Sequence, residues 1–216
     1  MTVVADAPPG RKSFFFRFIS LLVAIITVGF SISAMVSAHL GVAPADVLAT
    51  GGAHHFGIGV GTMGWINGLV FTVIAIAFRR MPSWGTLMGT LLVGQAVNFF
   101  LPLIPEPSHL VWRVPMMLLG LGLLYLAISV GVATTLGTGP IELVMLGLHD
   151  KGISMQVARW GIEAVVVAVG WILGGQIGFG TVLFLVLTGP VLARTLPPMV
   201  RFMGTQILER PAALDA

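Results

Sequence analysis

Cysteine is absent from the 216 residues, which rules out disulfides, thiolate nucleophiles and cysteine-ligated metals. Charge is almost as scarce. Asp, Glu, Lys and Arg make up 9% of the chain, against about 25% in soluble domains, and the mean hydropathy is +1.01. A soluble globular domain is therefore excluded. The pI of 10.2 rests on a net charge of only +3, which fits lipid-surface and orientation charge, and no basic patch is large enough for nucleic acid. The sequence has no H-E-x-x-H, no G-x-S-x-G and no glycine-rich phosphate loop, so nothing in it argues for an enzyme, and no cofactor is expected.

What the chain has is apolar length, and a stretch written twice. Leu40-Gly41-Val42-Ala43-Pro44-Ala45-Asp46 returns as Leu136-Gly137-Thr138-Gly139-Pro140-Ile141-Glu142, 96 residues later. In each copy a glycine stands where a helix would end, and a proline and an acid then open the next one. At the same offset Arg17 pairs with Arg113 and Ser33 with Ser129. After one residue is dropped, an offset of 95 pairs Gly57 with Gly152, Trp65 with Trp160, Gly85-Thr86 with Gly180-Thr181 and Gly94 with Gly189. The chain reads as a duplication, which changes the architecture to be expected.

Crossing a ~30 Å hydrocarbon layer takes about 20 helical residues. Six segments qualify: about 16–39, 58–78, 84–103, 112–135, 155–173 and 180–196. Short helices over 44–55 and 140–149 are too short to cross. The fold class expected is an all-α polytopic membrane protein, with six transmembrane helices as two inverted three-helix repeats, each carrying a short broken or re-entrant helix. The divisions are a cytoplasmic tail at 1–12, a first three-span repeat at 13–104, an external linker at 105–110, a second repeat at 111–197 and a cytoplasmic tail at 198–216, whose residues 198–208 suit a short interfacial amphipathic helix. The first apolar run, at 23 residues, is long for a signal peptide and has a repeat-mate that cannot be one, so it is read as retained.

Three crossings per repeat make the second copy enter from the opposite side. Cation placement is a separate criterion, since Lys and Arg collect on the cytoplasmic face. With the N-terminus inside, ten of the eleven Lys and Arg residues fall inside, and Arg113 is the exception. Both termini are expected in the cytoplasm of a bacterial cell bounded by this inner membrane. Small residues at Gly57, Gly61, Gly64 and Gly68, and the pairs Gly85/Gly89 and Gly170/Gly174, suit close helix contact. Trp84, Trp112 and Trp171 read as interfacial anchors, Trp65 and Trp160 as packing partners.

Glu163, deep in the fifth span, is the residue hardest to explain by packing. A carboxylate there costs about 2.5 kcal/mol or more, and such residues mark ion, proton or substrate routes. Arg159, four residues earlier, shares its helix face. The pair is either a structural lock or part of a path in which Glu163 carries a proton. Asn67, Gln95 and Asn98 are interhelix glue or, if they converge with Glu163, a polar site near the midplane. Gly41, Pro44, Asp46, Gly137, Pro140 and Glu142 form the repeated motif. Its acids serve as caps of the short helices, or line a substrate path if those helices fold back into the membrane. His39, His54, His55 and His109 fall on the expected outer side, but adjacent His54-His55 is no standard ligand spacing and no metal site is expected.

The Leu-Gly-x-x-Pro-x-acid motif, the Gly57-Ile58-Gly59 and Gly152-Ile153-Ser154 elements, and the Gly85-Thr86-Leu87 and Gly180-Thr181-Val182 starts together resemble the YczE/YyaS/YitT group of bacterial membrane proteins over roughly residues 14–200. This copy departs from the group at Ala43 and Ala45, where Gly and an aromatic are usual, and at Glu142, where Asp is. The resemblance implies location and architecture and leaves the substrate open. Three functions follow: a small secondary transporter, with Glu163 as the candidate for proton coupling; a binding subunit like the six-span capture proteins of vitamin importers; or a non-transporting assembly partner. The expected partners are the lipid bilayer, an unknown small-molecule substrate and, in a homodimer, a second copy of the chain.

Overall fold

The computed structural model describes residues 12–205, and every described element is helical. The helices are α1 (Phe14–Ala38), α2 (Pro44–Phe56), α3 (Val60–Ala77), α4 (Trp84–Phe100), α5 (Leu110–Ala133), α6 (Pro140–His149), α7 (Met155–Ile172) and α8 (Phe179–Met203); a 3₁₀ turn at Leu101–Leu103 prolongs α4. Six are long and apolar enough to cross a membrane, and α2 and α6 are not among them. The starts follow local chemistry. Ser13, Ser83 and Ser154 accept backbone N–H bonds at the heads of α1, α4 and α7, and Pro44 and Pro140 open α2 and α6.

The central pair is α1 and α5, 56% and 44% buried along their apolar windows, where the other four spans reach 22% or less. Fully buried Ser31, Ser33, Ser37 and Ser129 keep that contact thin, as small residues do where lipid removes the hydrophobic drive. The other helices surround the pair. α4 lies on α1 and α8 on α5, while α3 joins α4, α2 and α6, and α7 joins α2 and α6. Met35, Val36, Leu121, Leu124, Tyr125 and Phe184 form the main core.

Two arginines fix α1 and α5 as antiparallel. Arg17 Nε, near the start of α1, donates to Thr134 O at the end of α5 at 2.8 Å, and Nη2 donates to Thr134 O and Thr135 Oγ1. Arg113 Nε, near the start of α5, donates to Ala38 O at 2.7 Å and Nη2 to His39 O at 3.1 Å, at the end of α1. Each guanidinium meets carbonyls that have no partner within their own helix, at the negative end of its dipole. The fold therefore has an Arg17 end, shared with Arg80, Asp150 and Lys151, and a His39 end, shared with Glu106, His54 and Gln176.

The twice-written stretch has a packing role. Gly41, at φ 101°, lies against the start of α8, so that a Cβ there would sit 2.5 Å from Gly178 N. Gly137 lies against the start of α4, where a Cβ would sit 2.7 Å from Gly85 C. Each motif ends one span and seats it on the head of a span from the other half.

Three expectations are corrected. Pro197 and Pro198 do not end the sixth span, because α8 continues through both to Met203. The residues expected to start a separate tail helix thus belong to α8 as far as Met203, and residues 206–216, like residues 1–11, lie outside the described residues. Trp160 is not a packing partner. It is 62% exposed, while its sequence mate Trp65 has Cδ1 3.0 Å from where a Cβ on Gly94 would lie. The glycines expected on one face of the second span are used only in part: Gly61 and Gly68 meet α4, Gly64 faces open space, and Gly57 lies outside α3 and ends α2.

Candidate functional site

The halves differ most between the α3–α4 pair and its sequence mates α7 and α8. Along α3 and α4, Gly61 and Gly94 lie back to back, and a Cβ on Gly61 would sit 2.0 Å from Gly94 O. One turn on, a Cβ on Gly68 would meet Thr90 Cγ2 at 2.3 Å, and Asn98 Nδ2 donates to Thr62 Oγ1 at 2.9 Å. No comparable packing joins α7 to α8. At the offset of 95, Gln156 stands for Gly61, Arg159 for Gly64 and Glu163 for Gly68. Gly189, the mate of Gly94, has nothing within 4 Å of where its Cβ would lie. Gln156 and Glu163 replace the two glycines that meet α4, Arg159 replaces the open Gly64, and Trp160 lies exposed on the same helix.

Arg159 Nε donates to Glu163 Oε1 at 2.9 Å, and the two side chains are 34% and 17% exposed. α7 packs against α6, whose first turn carries Glu142. Tyr125 donates to Phe184 O at 2.9 Å and lies 3.2 Å from Thr188 Oγ1, both on α8. Charged and hydroxyl groups from α5, α6, α7 and α8 therefore surround the unpacked seam. Tyr125 was missed by the sequence reading. As the sole tyrosine, set inside an apolar span with a hydroxyl that needs a partner, it carried a usable signal.

The other residues singled out do not gather with Glu163. Asn98 belongs to the α3–α4 contact, Gln95 is exposed on α4, and α4 does not pack against α7. Asn67 Nδ2 is buried without a partner on α3. Glu142 lies in the first turn of α6 with a carboxylate oxygen against Gly139. Asp46 holds the matching first-turn position in α2. His39 Nε2 pairs with Glu106 at 3.1 Å, His54 lies beside Gly174, His55 packs edge-on to Phe56 and His109 precedes α5. Among the described residues no three His, Asp or Glu side chains form a group that could hold a metal.

Residues 15–196 match a family model described as "Family of unknown function (DUF6198)". The chain belongs to this family. It is 29% identical over 209 residues to a Bacillus subtilis protein named "Uncharacterized membrane protein YczE", covering 95% of this chain and 97% of that one. It is also 27% identical over 175 residues to a Haemophilus influenzae "Uncharacterized protein", covering 79% of each. No solved structure matches. The family is YczE-like, and membership agrees with the six apolar helices in making this a multi-pass membrane protein.

Proposed function

We propose that this YczE-like protein is a small permease of the bacterial cytoplasmic membrane, built from two inverted three-span repeats and coupled to protons through Glu163. The inversion is supported by the antiparallel α1 and α5, whose repeat-mate arginines cap each other's helix at matching positions. It is supported too by the reciprocal seating of Gly41 on α8 and Gly137 on α4. Broken repeats of this kind place transport sites between the halves. The Arg17 end, rich in Lys and Arg, faces the cytoplasm in this reading.

One observation carries the transport reading: Glu163, paired with Arg159, stands where the first half has the packing glycine Gly68, on a helix that leaves its neighbour α8 unpacked. A structural lock would join two helices, but this ion pair lies within one helix. Arg159 neutralises the carboxylate in place, and protonation of Glu163 releases Arg159 toward Glu142 or a substrate. The test is proton movement in proteoliposomes loaded with a pH dye, challenged with a panel of small metabolites. Wild type should acidify with at least one panel member, and Glu163→Gln should lose about 90% or more of that rate, as a removed proton carrier implies. No movement with any member, together with a Glu163→Gln protein that only unfolds earlier, would overturn the reading and leave the pair structural.

A further inference from the structure

We propose that the His39 end carries a binding basin for a small primary ammonium ion, with Gln176 Oε1 accepting from its N–H. It is separate from the Glu163 seam, and the two readings stand or fall independently. The basin is about 310 Å³ and is lined by Thr50, Ala53 and His54 of α2, Ile58 and Val60 at the head of α3, and Gly174 and Gln176 after α7.

The Gln176 amide is held firmly. Its backbone N–H donates to Thr50 Oγ1 at 3.1 Å, and Nε2 lies 3.2 Å from His39 Nδ1. Oε1, however, is buried and has no partner. His39 Nε2 donates to Glu106 at 3.1 Å, so Nδ1 is the ring acceptor and takes the Gln176 Nε2–H, which leaves the amide oxygen as the orphaned atom. A buried acceptor of this kind needs a donor, and Gln176 is one of the residues that line the basin.

The surrounding charge favours a cation. α2 ends at Gly57 and α7 at Leu173, so the negative ends of two helix dipoles meet at the basin. α3 begins there with its positive end, but the Asn98 amide oxygen lies beside Gly59 and Gly61. Asp46 is one turn before Thr50 on α2, and burial pushes its pKa up to about 7, so near neutral pH it adds only part of a negative charge to that helix face. Half-helix C-termini hold cations in the same manner in broken-helix transporters. At the opposite end the matching helix is covered: Gly147 of α6 is closed over by Phe78, whose ring carries Lys151 Nζ at 4.5 Å. Met81 stands at the offset position of Gln176.

The experiment is calorimetric titration and thermal unfolding of the full chain in detergent at constant ionic strength, with n-propylammonium, tetramethylammonium, sodium and propionate as probes. Propylammonium should bind saturably and raise the unfolding temperature, and the other three should not. Gln176→Leu should weaken propylammonium binding by about tenfold or more, the worth of a hydrogen bond to a charged group. Ile58→Trp, which fills the basin without touching the Gln176 bonds, should do the same and serves if Gln176→Leu fails to fold. No propylammonium binding to the wild type would overturn the proposal. So would undiminished binding to the variants, or equal binding of tetramethylammonium, which has the charge but no N–H.

Discussion

Arg17 shows how much a single residue can hold in this fold. It is 5% exposed and satisfies the end of α5 with a two-pronged contact that lysine cannot reproduce. Removing it leaves Thr134 O buried with its donor gone, and the negative end of α5 uncompensated. Arg17→Ala should therefore cost about 2–3 kcal/mol, the range for lost hydrogen bonds to charged groups, and Arg17→Lys a substantial part of that. Arg113 makes the same bonds from a half-exposed position, so Arg113→Ala should cost about 1 kcal/mol. Denaturant or thermal unfolding in detergent measures both, and equal costs would mean that burial does not set the difference. In the sequence Arg113 appeared only as the cation on the wrong side. Its role as a cap became visible when the carbonyls it serves came into place 74 residues away.

Among helices, close approach separates the two halves. Gly61→Ala would put a methyl 2.0 Å from Gly94 O, and backbone there cannot yield without moving α3 off α4; overpacking of this kind costs about 1–3 kcal/mol. Gly189→Ala, at the mate of Gly94, meets open space and should leave the unfolding midpoint within error of wild type, or raise it slightly because alanine favours the helix. Similar costs for the two would mean that α7 and α8 do pack in the folded protein. The spans themselves were legible because about 20 apolar residues announce a crossing, and the first segment read as 16–39 is found as Phe14–Ala38. The end of α8 was not legible. Pro197 and Pro198 break a soluble helix, but membrane helices tolerate proline where neighbours re-satisfy the freed carbonyls. Glu163 and Arg159 were readable from charge in an apolar run. The grouping with Glu142 and Tyr125 was not, because it depends on which spans neighbour one another. The choice left open for Gln95, Asn98 and Asn67, interhelix glue or a polar site with Glu163, turned on the same neighbour relations: three-residue spacing put Gln95 and Asn98 on one side of α4, but α1 and α3 cover only part of that side.

For the whole molecule the question is which end faces the cytoplasm, and the lack of cysteine makes that directly measurable. Every introduced thiol is the only one in the chain, so labelling needs no background correction. Ser108 is exposed in the segment between α4 and α5, at the His39 end, and Ser83 is exposed at the head of α4, at the Arg17 end. Lys151 follows α6 beside Phe78, also at the Arg17 end. If the positive end is cytoplasmic, a membrane-impermeant maleimide added to intact cells should label Ser108→Cys and leave Ser83→Cys and Lys151→Cys unlabelled until the membrane is opened. The last two sites test the inversion, since Ser83 lies in the first copy and Lys151 in the second. With three crossings per copy, the α3–α4 turn and the α6–α7 turn share a side although they hold different places within their copies. Labelling of Lys151→Cys but not Ser83→Cys in intact cells would mean that the second copy is not inverted, and the permease architecture would fall with it. Labelling of both, with Ser108→Cys protected, would keep the inversion and reverse the molecule in the membrane. The basin at Gln176 would then face the cytoplasm and sample its amines.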